Sequence, residues 1–145
     1  MTAPPATRTA PGFRRGPSRL ALWAPLVAYM GMIFALSSTS RLPSLPAGMN
    51  DTVAHVLEYF GLGALLVRAL ARGTRAGVRP AALVGAILVA ALLGLSDEAH
   101  QLFVPGREFD VRDLAADTLG AAGAAGAIWA WSIIRRFSGV QNERV

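Results

Sequence analysis

Residues 96–117 read SDEAHQLFVPGREFDVRDLAAD and join two long apolar runs through a turn at Pro105-Gly106. The stretch contains six of the nine acidic residues of the chain and one of its two histidines. Acidic and histidine side chains beside apolar segments are costly in or near a lipid bilayer, where they usually mark functional sites. The turn therefore predicts both a junction between two helices and the place of the functional site.

The composition of the chain indicates a membrane protein. Its 145 residues are 53% hydrophobic, with a mean hydropathy of +0.43, which is more apolar material than a small soluble core can bury. All 14 basic residues are arginines, and they occur in short clusters between apolar runs instead of along one basic face, which argues against nucleic-acid binding. The absence of cysteine excludes disulfides, thiolate catalysis and cysteine-based metal sites.

Four apolar runs follow one another along the chain. They are Leu20 to Leu36, Thr52 to Leu70, Ala81 to Leu95 and Leu114 to Ile134. A hydrocarbon core of about 30 Å needs about 20 helical residues, so the shorter runs must extend into their flanks. The third run is expected to continue through Gln101 and to end near Pro105, because proline interrupts a helix. The first run is longer than the usual signal-peptide core of roughly 7 to 15 residues, which favours a retained helix over cleavage.

These runs predict an all-α fold, an integral membrane bundle of four transmembrane helices over residues 19–136. Residues 1–18 are rich in arginine and proline and are predicted to be a disordered cytoplasmic tail, and residues 137–145 a short cytoplasmic tail. In the fourth run, Gly120, Gly123 and Gly126 recur at every third position, and small residues of this kind allow membrane helices to approach closely.

The distribution of arginines predicts the orientation. With a cytoplasmic amino terminus, 11 of the 14 arginines fall in the first tail, the middle loop and the carboxy-terminal end. The positive-inside rule therefore places both termini in the cytoplasm. Eight of the nine acids and both histidines then lie at the opposite side, where four segments bring their polar groups to a single extracytoplasmic mouth.

Three groups of polar side chains at this mouth each share one helix face, because spacings of three, four and seven residues return to the same side of a helix. The groups are Asp51, His55 and Glu58; Asp97, His100 and Gln101; and Asp110, Asp113 and Asp117.

Three motifs in this region resemble the VanZ-like family of small bacterial membrane proteins. They are D-x-x-x-H-x-x-x-Y-F-x-L-G from Asp51 to Gly63, D-E-x-H-Q-x-F-V-P-G-R from Asp97 to Arg107, and D-V-x-D-L-x-x-D-x-x-G from Asp110 to Gly120. The resemblance spans about Leu20 to Ile134. It implies a multi-pass protein of the bacterial cytoplasmic membrane and, through the named member of the family, a link to low-level teicoplanin resistance, but no particular reaction.

The motif residues form the predicted site. The candidate catalytic residues are His55, Asp97, Glu98, His100 and Asp113, and the candidate ligand-binding residues are Asp51, Glu58, Gln101, Arg107, Asp110 and Asp117. Histidine and crowded carboxylates can act as general acids and bases. The same oxygen and imidazole donors can bind a divalent cation, so a cation is the cofactor that the donor set allows. Arg107 suits an anionic headgroup.

Two functions remain open at this point. In the first, the protein acts on or binds a lipid-linked anionic intermediate of the cell envelope, either as an enzyme or as a binding protein. In the second, it is a noncatalytic membrane scaffold whose polar cluster is a structural network. In that network Arg107 or a protonated histidine neutralises the carboxylates and holds the helices together. Single residues also have simpler interpretations: Asp51 and Asp110 as helix caps, and Arg107 and Glu108 as a solvated surface pair. The predicted partner in both cases is the lipid bilayer; the sequence predicts no oligomeric state.

Overall fold

The computed structural model of the chain describes residues 16–40, 50–74 and 77–142. Over these ranges the chain forms four helices and no strand: α1 (Arg19–Ser37), α2 (Asp51–Leu70), α3 (Pro80–Gln101) and α4 (Val111–Asn142). The predicted all-α class is therefore confirmed. The predictions for residues 1–15, for the connection at 41–49 and for residues 143–145 lie outside the described residues.

The helices begin at residues suited to that position. The Ser18 side chain accepts a hydrogen bond from the Ala21 amide at the start of α1, and the Asn50 side chain accepts one from the Val53 amide at the start of α2. Such bonds satisfy amides that lack a partner within the helix. Pro80 is the first residue of α3, where its missing N–H costs nothing. Asn50 is thus the cap of α2, and Asp51 is left for other contacts.

Consecutive helices run antiparallel, and α2 and α4 form the most extensive interface. Small residues permit it. An added methyl group on Gly120 would meet the backbone of Val56 and Phe60, and one on Gly63 would lie 2.7 Å from Ala121 Cα. Of the three glycines at every third position, only Gly120 makes such an approach, because Gly123 is at ordinary contact distance from Phe60 and Gly126 has no neighbour among the described residues.

The outer surface of the bundle is apolar, as expected of a protein that faces lipid. Large hydrophobic side chains such as Val27, Leu88, Leu92 and Leu119 are exposed. Three helices, α1, α2 and α3, are long and apolar enough to cross a membrane. The fourth helix does not meet that criterion, because it is rich in alanine and glycine and contains Asp117. A fourth span and the cytoplasmic position of the termini stay predictions.

Candidate functional site

Polar side chains from all four helices meet at one end of the bundle, called here the polar end. It comprises the carboxy-terminal ends of α1 and α3 and the amino-terminal ends of α2 and α4. Contacts across it join His55 on α2 to Asp117 on α4, and His100 on α3 to Ser38 beyond α1. The alternating direction of the helices thus brings together segments that are far apart in the sequence.

At the centre of the polar end, His55 lies between two aspartates of α4. Its Nδ1 is 2.9 Å from Asp117 Oδ1, a hydrogen bond that the carboxylate accepts, and its Nε2 is 3.8 Å from Asp113 Oδ2. His55 is 6% exposed and Asp117 is fully buried. The close approach of α2 and α4 at Gly120, one turn along α4 from Asp117, holds these side chains opposite each other. We call Asp51, His55, Asp113 and Asp117 the histidine–aspartate cluster.

Two further side chains contact this cluster. Arg107 Nη1 lies 3.2 Å from Asp51 Oδ2, and Thr52 Oγ1 donates to Asp113 Oδ1 at 3.4 Å. The interpretation of Arg107 and Glu108 as a solvated pair is wrong, because the chain turns at Gly106, which has a φ of +80°, and Arg107 extends to the start of α2. Glu108 is exposed.

Three members of the histidine–aspartate cluster lie close enough together to hold a metal ion. One ligand atom each from Asp51, His55 and Asp113 lie within 4.8 Å of one another. The donors are two carboxylates and one imidazole, the ligand types that divalent transition metals accept.

Glu98 anchors the turn between α3 and α4. It is fully buried, and its Oε2 accepts a hydrogen bond from the Asp110 amide at 2.8 Å. Asp110 itself is exposed and accepts a hydrogen bond from the Arg112 amide at 2.8 Å. Asp110 therefore stabilises the start of α4, and Glu98 ties that start to α3.

A cavity of about 140 Å³ lies between α1, α2 and α3 and reaches the polar end of the bundle at Asp97 and His100. Its lining is apolar along most of its length and polar at one end: Met30, Ile33, Phe34, Tyr59, Leu62, Leu93, Ser96, Asp97 and His100. His100 Nε2 lies 3.1 Å from Ser38 Oγ, and the imidazole packs on the Phe34 ring at a centroid distance of 4.7 Å. Asp97 is buried at the polar end.

Two predicted residues stand apart from these contacts. The Glu58 backbone carbonyl accepts a hydrogen bond from the Tyr29 hydroxyl at 3.1 Å, while its side-chain Oε1 is buried without a hydrogen-bond partner among the described residues. Gln101 is buried at the end of α3. The structure thus divides the other predicted residues between the histidine–aspartate cluster with Arg107, the Glu98 anchor and the cavity, and the chemical roles of all of them stay predictions.

Sequence reasoning missed Ser38, Thr52 and Tyr29 as participants. Hydroxyl residues are common at helix ends, so their presence carries little signal. The positions of two of them in the sequence give a weak signal. Thr52 is next to Asp51 at the start of α2, and Ser38 lies in the polar stretch that follows the first apolar run.

The fold and the polar end together define a helical membrane protein with a buried acidic and histidine-containing site at one end of the bundle. A family model described as VanZ/LLP1 matches residues 19–135, most of the chain. The chain therefore belongs to the VanZ-like family, and the resemblance drawn from its three motifs is confirmed. Comparison with curated proteins and with solved structures gives no match.

Proposed function

We propose that this protein spans the bacterial cytoplasmic membrane four times, with both termini in the cytoplasm. On this proposal its polar end faces outward and binds an anionic, lipid-linked intermediate of the cell envelope. Binding of such an intermediate would alter susceptibility to glycopeptides such as teicoplanin. The arginine distribution supports the orientation, and family membership supports the membrane location.

The observation that carries the proposal is the cavity between α1, α2 and α3. Ile33, Leu62 and Leu93 make its wall apolar, whereas Asp97 and His100 make one end polar. A lipid-linked ligand has the same division, an apolar chain and a charged headgroup. Ligand sites are commonly apolar with a few placed polar groups that fix orientation.

Cationic and hydrogen-bonding groups for a headgroup are present at the polar end. His100 lines the cavity, and Arg107 lies across the start of α2. A guanidinium binds phosphate oxygens in a bidentate manner, which makes Arg107 the residue best suited to a phosphate. The neighbouring carboxylates oppose a bare anion, so they require a cation or a proton between themselves and the headgroup.

The alternative is a scaffold in which the polar groups only hold the helices together. It is favoured by the buried His55–Asp117 pair and by the Arg107–Asp51 pair, which join α4 and the turn to α2. Removing one member of a buried pair leaves the other charge without compensation and destabilises the protein. The two functions therefore predict different effects of a neutral isostere at these carboxylates. In a ligand site it abolishes ligand binding, whereas in a scaffold it lowers the amount of folded protein.

The test measures binding of polyprenyl phosphate and of the neutral polyprenol to the purified protein in nanodiscs. We expect the phosphate to bind at least about tenfold more tightly, a difference of about 1.4 kcal/mol. Leu93→Trp should fill the cavity and weaken binding of both lipids, whereas Val84→Trp, on the exposed face of the same helix, should change neither. Equal binding by the wild type and by folded Leu93→Trp would refute the proposal.

A further inference from the structure

We infer that Asp51, His55 and Asp113 form a binding site for a divalent transition-metal cation and that Asp117 orients the histidine ligand. The inference deepens the proposed function and rests on it in one respect, because the cation would face the headgroup of the bound lipid. Binding of the cation itself requires no lipid.

The distances fit a site that needs little rearrangement. Metal–ligand bonds of about 2.0–2.2 Å place tetrahedral ligands roughly 3.3–3.5 Å apart. His55 Nε2 and Asp113 Oδ2 are 3.8 Å apart, and all three donor atoms, including the one from Asp51, lie within 4.8 Å of one another. The cation would draw these atoms together by at most about 1.5 Å, the difference between 4.8 Å and 3.3 Å.

His55 presents the geometry of a metal-binding imidazole. Its Nδ1 is hydrogen-bonded to Asp117 at 2.9 Å, and Nε2, which lies 3.8 Å from Asp113, has no hydrogen bond to the described residues although His55 is 6% exposed. Metal-binding histidines usually donate their other ring N–H to a carboxylate, which fixes the orientation of the ring. Nε2 is thus the ring nitrogen left for a cation.

The charges around the cluster also favour a cation. Asp51, Asp113 and Asp117 face one arginine and one histidine, since Arg107 approaches Asp51 and His55 lies between the other two. Three carboxylates therefore face two basic side chains. Uncompensated charge in a buried site is costly, and a bound cation is often the group that compensates it.

The donor set indicates the class of metal. Imidazole suits zinc and other first-row metals better than calcium or magnesium, and the chain has no cysteine to select for softer ions. Three protein ligands leave a fourth position open, as in catalytic zinc sites. A phosphate oxygen could occupy that position, which would remove the repulsion between an anionic headgroup and the carboxylates.

The test uses Zn²⁺ and the full-length protein in detergent, freed of metal with a chelator and then dialysed against buffered Zn²⁺. We expect one equivalent of tightly bound Zn²⁺ per chain, measured by elemental mass spectrometry. Asp113→Asn and Asp51→Asn should lose it, and Glu108→Gln, which removes an exposed carboxylate at the same end, should keep it. Asp117→Asn should weaken Zn²⁺ binding by about 10- to 100-fold, the usual effect of changing the partner of a metal-binding histidine.

Arg107→Gln separates a metal site from an ion-pair network. Because Arg107 competes with a cation for Asp51, this variant should bind Zn²⁺ more tightly than the wild type. Thermal unfolding followed by tryptophan fluorescence supplies a second readout: Zn²⁺ should raise the Tm of the wild type and of Glu108→Gln, but not that of Asp51→Asn. Asp51 is half-buried at the helix start, so this variant is expected to fold.

The inference would be overturned if the wild type bound no Zn²⁺, or if Asp51→Asn and Asp113→Asn bound Zn²⁺ as well as the wild type does. Those results would not refute the binding of polyprenyl phosphate, because the lipid-binding assay can be run in the presence of a chelator. Bound Zn²⁺ without lipid binding would instead refute the proposed function and leave the metal site standing.

Discussion

Replacement of Gly120 by alanine tests the packing that positions the polar end. The new Cβ would lie 3.0 Å from Phe60 N, whereas ordinary contacts begin at 3.4 Å, and it would also meet the Val56 carbonyl. Both neighbours are backbone atoms of α2, which cannot rotate away. The helices must therefore separate by at least 0.4 Å (3.4 − 3.0). Overpacking of this kind costs about 1–3 kcal/mol, against a gain in helix propensity of about 1 kcal/mol.

The matched control is Gly126→Ala on the same helix, where no atom of the described part of the chain lies within 4 Å of the added group. The propensity gain is common to both variants, so their difference in free energy of unfolding should equal the packing cost, about 1–3 kcal/mol. Reversible unfolding in mixed micelles, followed by circular dichroism during a titration with denaturing detergent, measures it. A Gly120→Ala protein as stable as Gly126→Ala would refute the assignment of this contact.

Further predictions concern single contacts and topology. His55→Ala should lower the free energy of unfolding by about 3–5 kcal/mol, because it leaves the fully buried Asp117 without its hydrogen-bond partner; a loss below about 1 kcal/mol would contradict the pairing. Tyr29→Phe should lower the free energy of unfolding by about 1 kcal/mol, because it removes the hydrogen bond to the Glu58 carbonyl; an unchanged free energy would argue against that hydrogen bond. The chain has no cysteine, so Glu108→Cys should react with an impermeant thiol reagent in intact cells while Thr74→Cys should not, and the reverse pattern would invert the proposed orientation.

Much of the fold could be predicted because its signals are local. The sequence predicts that the third helix continues beyond Leu95 through the polar residues and ends near Pro105, and in the structure it ends at Gln101, four residues earlier. Its polar residues were placed on one face by spacing alone. The sequence also predicts that four helix ends meet at one side, because apolar runs joined by short connections must cross the membrane in alternating directions. This prediction requires no knowledge of packing.

The packing of the helices could not be predicted at the same level. Three glycines at every third position looked equivalent in the sequence, but three residues advance a helix by about 300°, so successive glycines drift by about 60° around it. Only Gly120 consequently faces the backbone of α2.

Tertiary contacts at the polar end were likewise beyond the sequence. Arg107 pairs with Asp51 and not with the adjacent Glu108, because the positive φ of Gly106 determines where the chain goes next. The cavity arises because α1 packs mainly on α2 and only slightly on α3. Neither the turn geometry nor the choice of helix neighbours is encoded in residue spacing.

The most direct test of whether the polar end is a ligand site is the lipid that co-purifies with neutral isosteres. Asp97→Asn and Asp113→Asn keep the shape of each carboxylate and remove its charge. Membrane-inserted protein is quantified by immunoblot, and bound polyprenyl phosphate per mole of purified protein by mass spectrometry. We predict that both variants accumulate as the wild type does and that each loses most of the bound lipid, because an amide cannot hold the cation or proton that separates a carboxylate from an anionic headgroup. Unchanged lipid content in both variants, or a loss of protein in step with the loss of lipid, would contradict a ligand site at this end of the bundle.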